Sequence, residues 1–132
     1  MGKLTEAQAK LFSDRNWATV TTLRADGSAH STPVWIDTDG EHVIFNTVIG
    51  RAKERELRRD PRVAVTVLPA ADQQSGYVSV TGTAELSEEG AGDHIDKMAK
   101  KYLDLDAYPY HRPGDRRIIV TVTPERIDAY GI

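Results

Sequence analysis

The stretch ATVTTLRADGSAHSTPVWIDTDGEHVIFN, residues 18–46, predicts a meander of three antiparallel strands. It contains strands over residues 18–24, 29–37 and 42–46, with turns at Ala25-Asp26-Gly27-Ser28 and Thr38-Asp39-Gly40. A parallel pair needs a crossover of about a dozen residues or more, so these short links join antiparallel neighbours. The fold is therefore expected to grow from adjacent hairpins.

The rest of the chain adds similar strands and three helices. A helix is predicted from about Thr5 to Asn16, where Thr5 and Gln8 match a capping box. The other predicted elements are helices over 51–60 and from Ser87 to about Tyr102, and strands over 62–68, 77–86, 116–123 and 126–130, the last two separated by Pro124. Seven short strands with few helices favour a mainly β, antiparallel barrel, because closure removes exposed strand edges.

Composition narrows the class of protein. The 132 residues are 39% hydrophobic and 28% charged, which predicts one globular domain over residues 1–132. The net charge of −3 argues against general nucleic-acid binding. No apolar run is long enough to cross a membrane and the N-terminus does not resemble a signal peptide, so a cytoplasmic protein is expected.

Self-contained catalytic machinery is missing from the sequence. The chain has no cysteine, its four histidines form no HxH or HExxH pair, and no serine lies in a G-x-S-x-G elbow. No metal site is predicted. Asp93 and His94 are interpreted as surface residues rather than as part of a triad. An enzyme with this sequence is expected to rely on a cofactor for its chemistry.

A cationic cluster, Thr47, Arg51 and Lys53, lies where the third strand gives way to a helix. Residues 51–62 carry six basic and three acidic side chains within an acidic protein. A helix N-terminus flanked by Arg and Lys is suited to a phosphate. The alternative interpretation is a solvated helix in which Glu54 pairs with Arg58. The residues alone leave both open.

The segment STPVWI, residues 31–36, is the second unusual feature. A proline within a strand removes one ladder donor and marks an edge or a bulge, so Pro33 frees nearby backbone groups. Trp35 beside it offers an apolar wall for a flat ring. Alternatively, Val34 and Ile36 are core residues and Trp35 fills space between layers, which on this segment alone is the simpler interpretation.

Together these segments resemble the pyridoxamine 5'-phosphate oxidase-like split β-barrel superfamily. Within it, the chain is most similar to the deazaflavin-dependent oxidoreductases of the FDOR-B group. The resemblance is carried by Pro33-Val34-Trp35, Phe45-Asn46-Thr47, Arg51-Ala52-Lys53 with Leu57, Asp60-Pro61-Arg62, the VTGTAEL run over residues 80–86, and Arg126-Ile-Asp-Ala-Tyr130. It spans most of the chain, with residues 3–16 and 88–115 matching loosely.

The resemblance implies a homodimer with two equivalent sites at the subunit interface. It implies that Thr47, Arg51 and Lys53 bind the cofactor phosphate, that Pro33, Val34 and Trp35 lie along the tricyclic ring, and that Asn46 lies near that ring. Tyr77 matches a position that reaches the site from the partner subunit. Ala52 separates Arg51 from Lys53, whereas the true oxidases place the two together, so vitamin B6 oxidation is not expected.

The function implied by the resemblance is hydride transfer from reduced coenzyme F420 to an unsaturated small-molecule acceptor. A bilin, an enone, a quinone and a xenobiotic all fit, and the proton comes from water or from Tyr77. One alternative is an FMN-dependent oxidoreductase of the same fold. The other is a non-enzymatic carrier of a flavin or haem. A basic patch of His111, Arg112, Arg116 and Arg117 would meet the polyglutamate tail that FMN lacks.

Overall fold

The computed structural model describes residues 2–132 and arranges seven strands in one antiparallel sheet. The strands are β1 (Trp17–Leu23), β2 (Ala29–Trp35), β3 (Asp37–Thr38), β4 (Val43–Val48), β5 (Arg62–Val67), β6 (Tyr77–Ser87) and β7 (Arg117–Tyr130). The helices are α1 (Glu6–Ser13), α2 (Ala52–Arg59) and α3 (Ala91–Leu103). The strand order is β2-β1-β5-β6-β7-β4-β3. The predicted mainly β, antiparallel split-barrel architecture is confirmed.

The predicted meander differs in where its strands end. β2 stops at Trp35, and only Asp37 and Thr38 pair with β4, as a separate short strand. β4 runs on to Val48 instead of ending at Asn46, because β7 pairs with it over its whole length. Asn46 and Thr47 are therefore strand residues, held by ladder hydrogen bonds.

The expected break at Pro124 is wrong. β7 is one strand of 14 residues, and Pro124 lies opposite Gly82 of β6. The register shifts between Thr81, which faces Arg126, and Gly82. The resulting bulge lies next to Pro124, which has no N–H to donate, and the ladder continues on both sides of it.

The core fills the inner face of the curved sheet. It is built mainly from alternating strand residues, among them Val20, Phe45, Val65, Val80, Val120 and Val122. α1 covers one end with Leu11 and Phe12. Its predicted capping box is present: the Gln8 N–H donates to Thr5 Oγ1 (3.1 Å), and the Thr5 N–H donates to Gln8 Oε1 (3.0 Å).

α3 is fixed to the end of β2 by the hydroxyl of Tyr102. This oxygen accepts from the Ile36 N–H (3.0 Å) and donates to the carbonyl of Asn16 (2.6 Å). Burial raises the pKa of Tyr102 to about 12, so the hydroxyl remains a donor at neutral pH. None of the three helices in the described part of the chain has the length and apolar character that crossing a membrane requires.

Candidate functional site

A cavity of about 240 Å³ lies between β2, β4, α2, α3 and the loop that precedes β7. The structure brings seven of the eight residues predicted for the site together in its wall. They are Pro33, Val34, Trp35, Asn46, Thr47, Arg51 and Lys53. Arg117, predicted only as part of the basic patch, also lines the cavity, and the other wall residues were missed by sequence reasoning: Trp17, Ile95, Met98, Tyr108 and Tyr110.

A tight turn presents the cationic cluster to the cavity. Gly50, at φ +97°, turns the chain from β4 into α2 in a conformation that other residues rarely adopt. Arg51 is the N-cap of α2, and its side chain makes no capping bond. Thr47 is only 2% exposed, and its Oγ1 has no hydrogen-bond partner within residues 2–132. An unpaired buried hydroxyl beside two cations is the donor set that an oxyanion satisfies.

Lys53 is half-buried with its ammonium group at the cavity. Its Nζ donates to Thr32 Oγ1 (3.1 Å). Burial, together with the nearby charge of Arg51, lowers the pKa of Lys53, and Glu56 opposes this only in part. A bound anion would relieve this desolvation and repulsion. The position therefore favours a negatively charged ligand.

The acidic residues of α2 anchor the helix instead of neutralising the cluster. Glu54 accepts from the Gly50 N–H (2.8 Å) and pairs with Arg58. Glu56 accepts from Thr22 Oγ1 (2.7 Å) and contacts His30 Nδ1 (2.8 Å), which ties α2 to the β1–β2 hairpin. The predicted Glu54–Arg58 pair thus exists alongside the cationic cluster. The two interpretations of this helix are compatible.

Aromatic side chains form the apolar end of the cavity. Trp35 stacks on Tyr102 with ring centroids 5.1 Å apart and planes 3° apart, so its orientation is fixed. The rings of Trp17 and Tyr108 make T-shaped contacts with Trp35, at centroid distances of 6.3 and 5.9 Å. Pro33 lies in β2, the outermost strand on its side of the sheet, as a proline within a strand predicts.

A buried polar chain joins α3 to the cavity wall. Asn46 Nδ2 donates to the Ala91 carbonyl (2.9 Å) and to His94 Nδ1 (3.1 Å). The other ring nitrogen of His94 donates to Asp37 Oδ2 (3.1 Å). The His94 side chain is 10% exposed, so its interpretation as a surface residue was wrong. Burial alone would raise the pKa of Asp37, but hydrogen bonds from His94, the Thr38 N–H and Lys97 lower it to about 2.

Arg117 separates from the rest of the predicted basic patch. Arg116 points outward and pairs with Glu88 (2.6 Å), and His111 packs on Tyr108 at the surface. Arg117 is only 8% exposed and lines the cavity. Its guanidinium lies 4.5 Å from the ring centroid of Tyr108.

Comparison with known proteins identifies the family. The family model described as pyridoxamine 5'-phosphate oxidase matches residues 4–131. This chain belongs to the pyridoxamine 5'-phosphate oxidase family. A Mycobacterium tuberculosis (strain CDC 1551 / Oshkosh) relative named F420H(2)-dependent biliverdin reductase is 27% identical over 126 residues, covering 95% of this chain and 87% of the relative.

Solved structures agree with this family assignment. One named F420 Reductase is 25% identical, with a TM-score of 0.81 over 95% of this chain and 98% of that one. A putative pyridoxamine 5'-phosphate oxidase from Listeria innocua is 20% identical, with a TM-score of 0.72 over 96% and 97% of the two chains. The second likeness supports the fold alone.

Tyr77 is the one predicted site residue that this family member does not place at the cavity of its own chain. It is 40% exposed and stacks on Tyr130 with ring centroids 6.4 Å apart. Both residues lie where β6 pairs with the end of β7. The expectation that Tyr77 reaches the site of a second subunit stays a prediction.

Proposed function

We propose that this protein is an F420-dependent oxidoreductase that delivers a hydride to an unsaturated organic acceptor. Two similar proteins support the cofactor and the reaction type, one named F420H(2)-dependent biliverdin reductase and the other F420 Reductase. The observation that carries the proposal is the cavity itself. It joins an unpaired buried hydroxyl and two cations to a flat aromatic wall.

The residues at the cavity fit both ends of a deazaflavin cofactor. Thr47, Arg51 and Lys53 would hold a phosphoryl group, since together they offer a hydroxyl and two positive charges. Val34 and Trp35 would lie along the tricyclic ring, and Asn46 would lie near it. When bound, reduced F420 supplies the hydride.

The chain's own residues provide binding, orientation and a dry wall. The Trp35–Tyr102 stack is rigid, and Ile95 and Met98 of α3 exclude water from the adjoining surface. The acceptor also gains a proton, which we assign to water or to Tyr77 from a second subunit.

A bilin is the acceptor we propose first. The Mycobacterium tuberculosis relative is named for biliverdin, and a long conjugated acceptor suits an aromatic cavity mouth. Tyr108 and Tyr110, from the loop before β7, line that cavity. Enones, quinones and xenobiotics remain members of the same acceptor class.

Single-turnover reduction tests this function. The purified protein is mixed with chemically reduced F420 and with one acceptor at a time: biliverdin, an enone or a quinone. Oxidation of the cofactor is followed by absorbance. We expect protein-dependent oxidation of F420 with at least one acceptor and a slower reaction with reduced FMN. Faster reaction with FMN would favour the FMN-dependent alternative, and tight binding without turnover across the panel would favour a carrier.

We further propose that two copies of the chain form a homodimer with sites at their interface. Tyr77 and Tyr130 stack on one another as one exposed aromatic surface, and Trp17 and Tyr110 are exposed as well. Such surfaces commonly mark an interface in a soluble protein. Sedimentation velocity is expected to give twice the chain mass, and replacing Tyr130 with glutamate to shift the protein towards the monomer. A wild-type protein that sediments as a monomer at all concentrations would contradict the dimer.

A further inference from the structure

Arg117 carries a buried charge whose hydrogen bonds are incomplete. Its side chain lines the cavity, and within residues 2–132 neither Nε nor Nη2 has a hydrogen-bond partner. Its Nη1 makes a long hydrogen bond to Asn46 Oδ1, at 3.4 Å. Burying a guanidinium without acceptors is costly, because the lost hydration is not replaced. The unused donors therefore indicate a ligand that accepts from them.

Two neighbours hold the guanidinium in place. The Tyr108 ring supports one face of the cation at 4.5 Å. Asn46 can offer its oxygen to Arg117 only while its NH₂ group points the other way, towards the Ala91 carbonyl and His94 Nδ1. Arg117 therefore keeps its hydrogen bond to Asn46 only while the amide holds this orientation.

Asp37 sets that amide through the tautomer of His94. The carboxylate accepts from His94 Nε2, and in the neutral ring a proton on Nε2 leaves Nδ1 as an acceptor. Nδ1 then takes one of the two amide hydrogens of Asn46, and Ala91 takes the other. The Asn46 oxygen is left facing Arg117.

We propose that Arg117, positioned by Asp37, His94 and Asn46, forms a second oxyanion-binding site in the cavity, distinct from the cationic cluster. Asn46 and Thr47 are neighbours on β4, so their side chains project to opposite faces of the strand. Arg117 belongs to the Asn46 side, with α3 and Tyr108. The ligand chemistry is a carboxylate or phosphoryl oxygen held by two guanidinium N–H groups.

This inference rests on the proposed function only where it names the molecule that supplies the oxyanion. A cofactor with a second acidic group and an acceptor that carries carboxylates both supply one. F420 has carboxylates in its tail, and biliverdin has two side-chain carboxylates. The two sources predict different effects of the same substitution.

The central test compares Arg117→Gln with Arg126→Gln. Arg126 is an exposed arginine of the same strand, β7, which pairs with Asp128 and serves as the matched control. Loss of charge-assisted bonds at Arg117 should weaken anion binding by about tenfold or more. If the acceptor supplies the oxyanion, KM rises for biliverdin but not for its dimethyl ester, and the Kd of F420 is unchanged. If the cofactor supplies it, the Kd of F420 measured by fluorescence rises.

Two outcomes overturn the proposal. One is that Arg117→Gln folds and leaves the Kd of F420 and the KM of both bilins equal to those of Arg126→Gln. If Arg117→Gln does not fold, Arg117→Lys is measured in its place, because lysine keeps the positive charge but lacks the paired N–H groups of the guanidinium. The other is that inorganic phosphate fails to shift the Arg117 Nε–H resonance of the wild-type protein. The phosphate titration needs no F420, so it separates failure of this site from failure of the proposed function.

The positioning role is tested through Asp37→Asn, with Lys97→Ala as the control. Both remove a hydrogen bond at position 37, but Lys97→Ala leaves the Asp37–His94 pair intact. We expect Asp37→Asn to shift the His94 tautomer, read from ring nitrogen chemical shifts, and to weaken binding of the anionic ligand alone. An unchanged tautomer would contradict this role, as would a Kd of F420 and a KM for both bilins equal to those of Lys97→Ala.

Discussion

Lys53→Ala is expected to weaken binding of F420 by about tenfold to 100-fold, the effect of one charge-assisted contact of about 1.5 to 3 kcal/mol. The Lys53 ammonium is half-buried at the cavity and already partly desolvated, so a phosphoryl group reaches it at little further cost. The affinity is measured by fluorescence titration of the purified protein.

The pH dependence of F420 binding gives this prediction a second readout. The pKa of free Lys53 lies below its usual 10.5, and a bound anion raises it, so binding takes up a proton. The wild-type affinity should therefore fall as pH rises through that lowered pKa towards 10.5. Lys53→Ala should lose this dependence. Arg55→Ala, an exposed charge on the same helix, is the control and should keep it. Equal affinities for Lys53→Ala and Arg55→Ala would remove Lys53 from the site.

Gly82→Ala is expected to lower the free energy of unfolding by about 3 kcal/mol, a typical upper value for overpacking. A Cβ at this position would overlap the carbonyl oxygen of Thr123 on the paired strand. The backbone fixes the position of a Cβ and the oxygen it meets belongs to the backbone, so no side-chain rotation relieves the overlap. The β6–β7 ladder would have to open at the bulge opposite Pro124. Thermal unfolding should show a fall in Tm of about 10 °C.

Gly92→Ala provides the opposite expectation. Gly92 lies in α3 with open space where a Cβ would be added. Alanine there should raise the free energy of unfolding by about 0.5 kcal/mol through a smaller loss of chain entropy. A Gly82→Ala protein that is as stable as wild type would contradict the close approach of these two strands.

The sequence predicted the strands well because the patterns that mark a strand are local. Hairpin links, alternation and the Thr5–Gln8 cap all depend on residues close in the chain. The break at Pro124 was mispredicted because the compensating bulge depends on Gly82, which is 42 residues away. No local pattern contains that pairing.

The residues of the site also divide into those that local sequence predicted and those that it did not. Seven wall residues were predicted because they fall in two short, recognisable segments. Arg117 was grouped with an exposed patch because the groups that cover it, Tyr108 and Asn46, lie in a loop and on another strand. His94 was interpreted as a surface residue because its partners, Asp37 and Asn46, come from distant strands. Only the assembled fold brings these groups together.

The most direct test of the account is equilibrium titration of the cofactor-free protein with F420 and, in parallel, with FMN, followed by fluorescence. We expect saturable binding of F420 at one molecule per chain, tighter than that of FMN and weakened by Lys53→Ala. Absence of saturable F420 binding, or tighter binding of FMN, would contradict the assignment of this cavity to a deazaflavin.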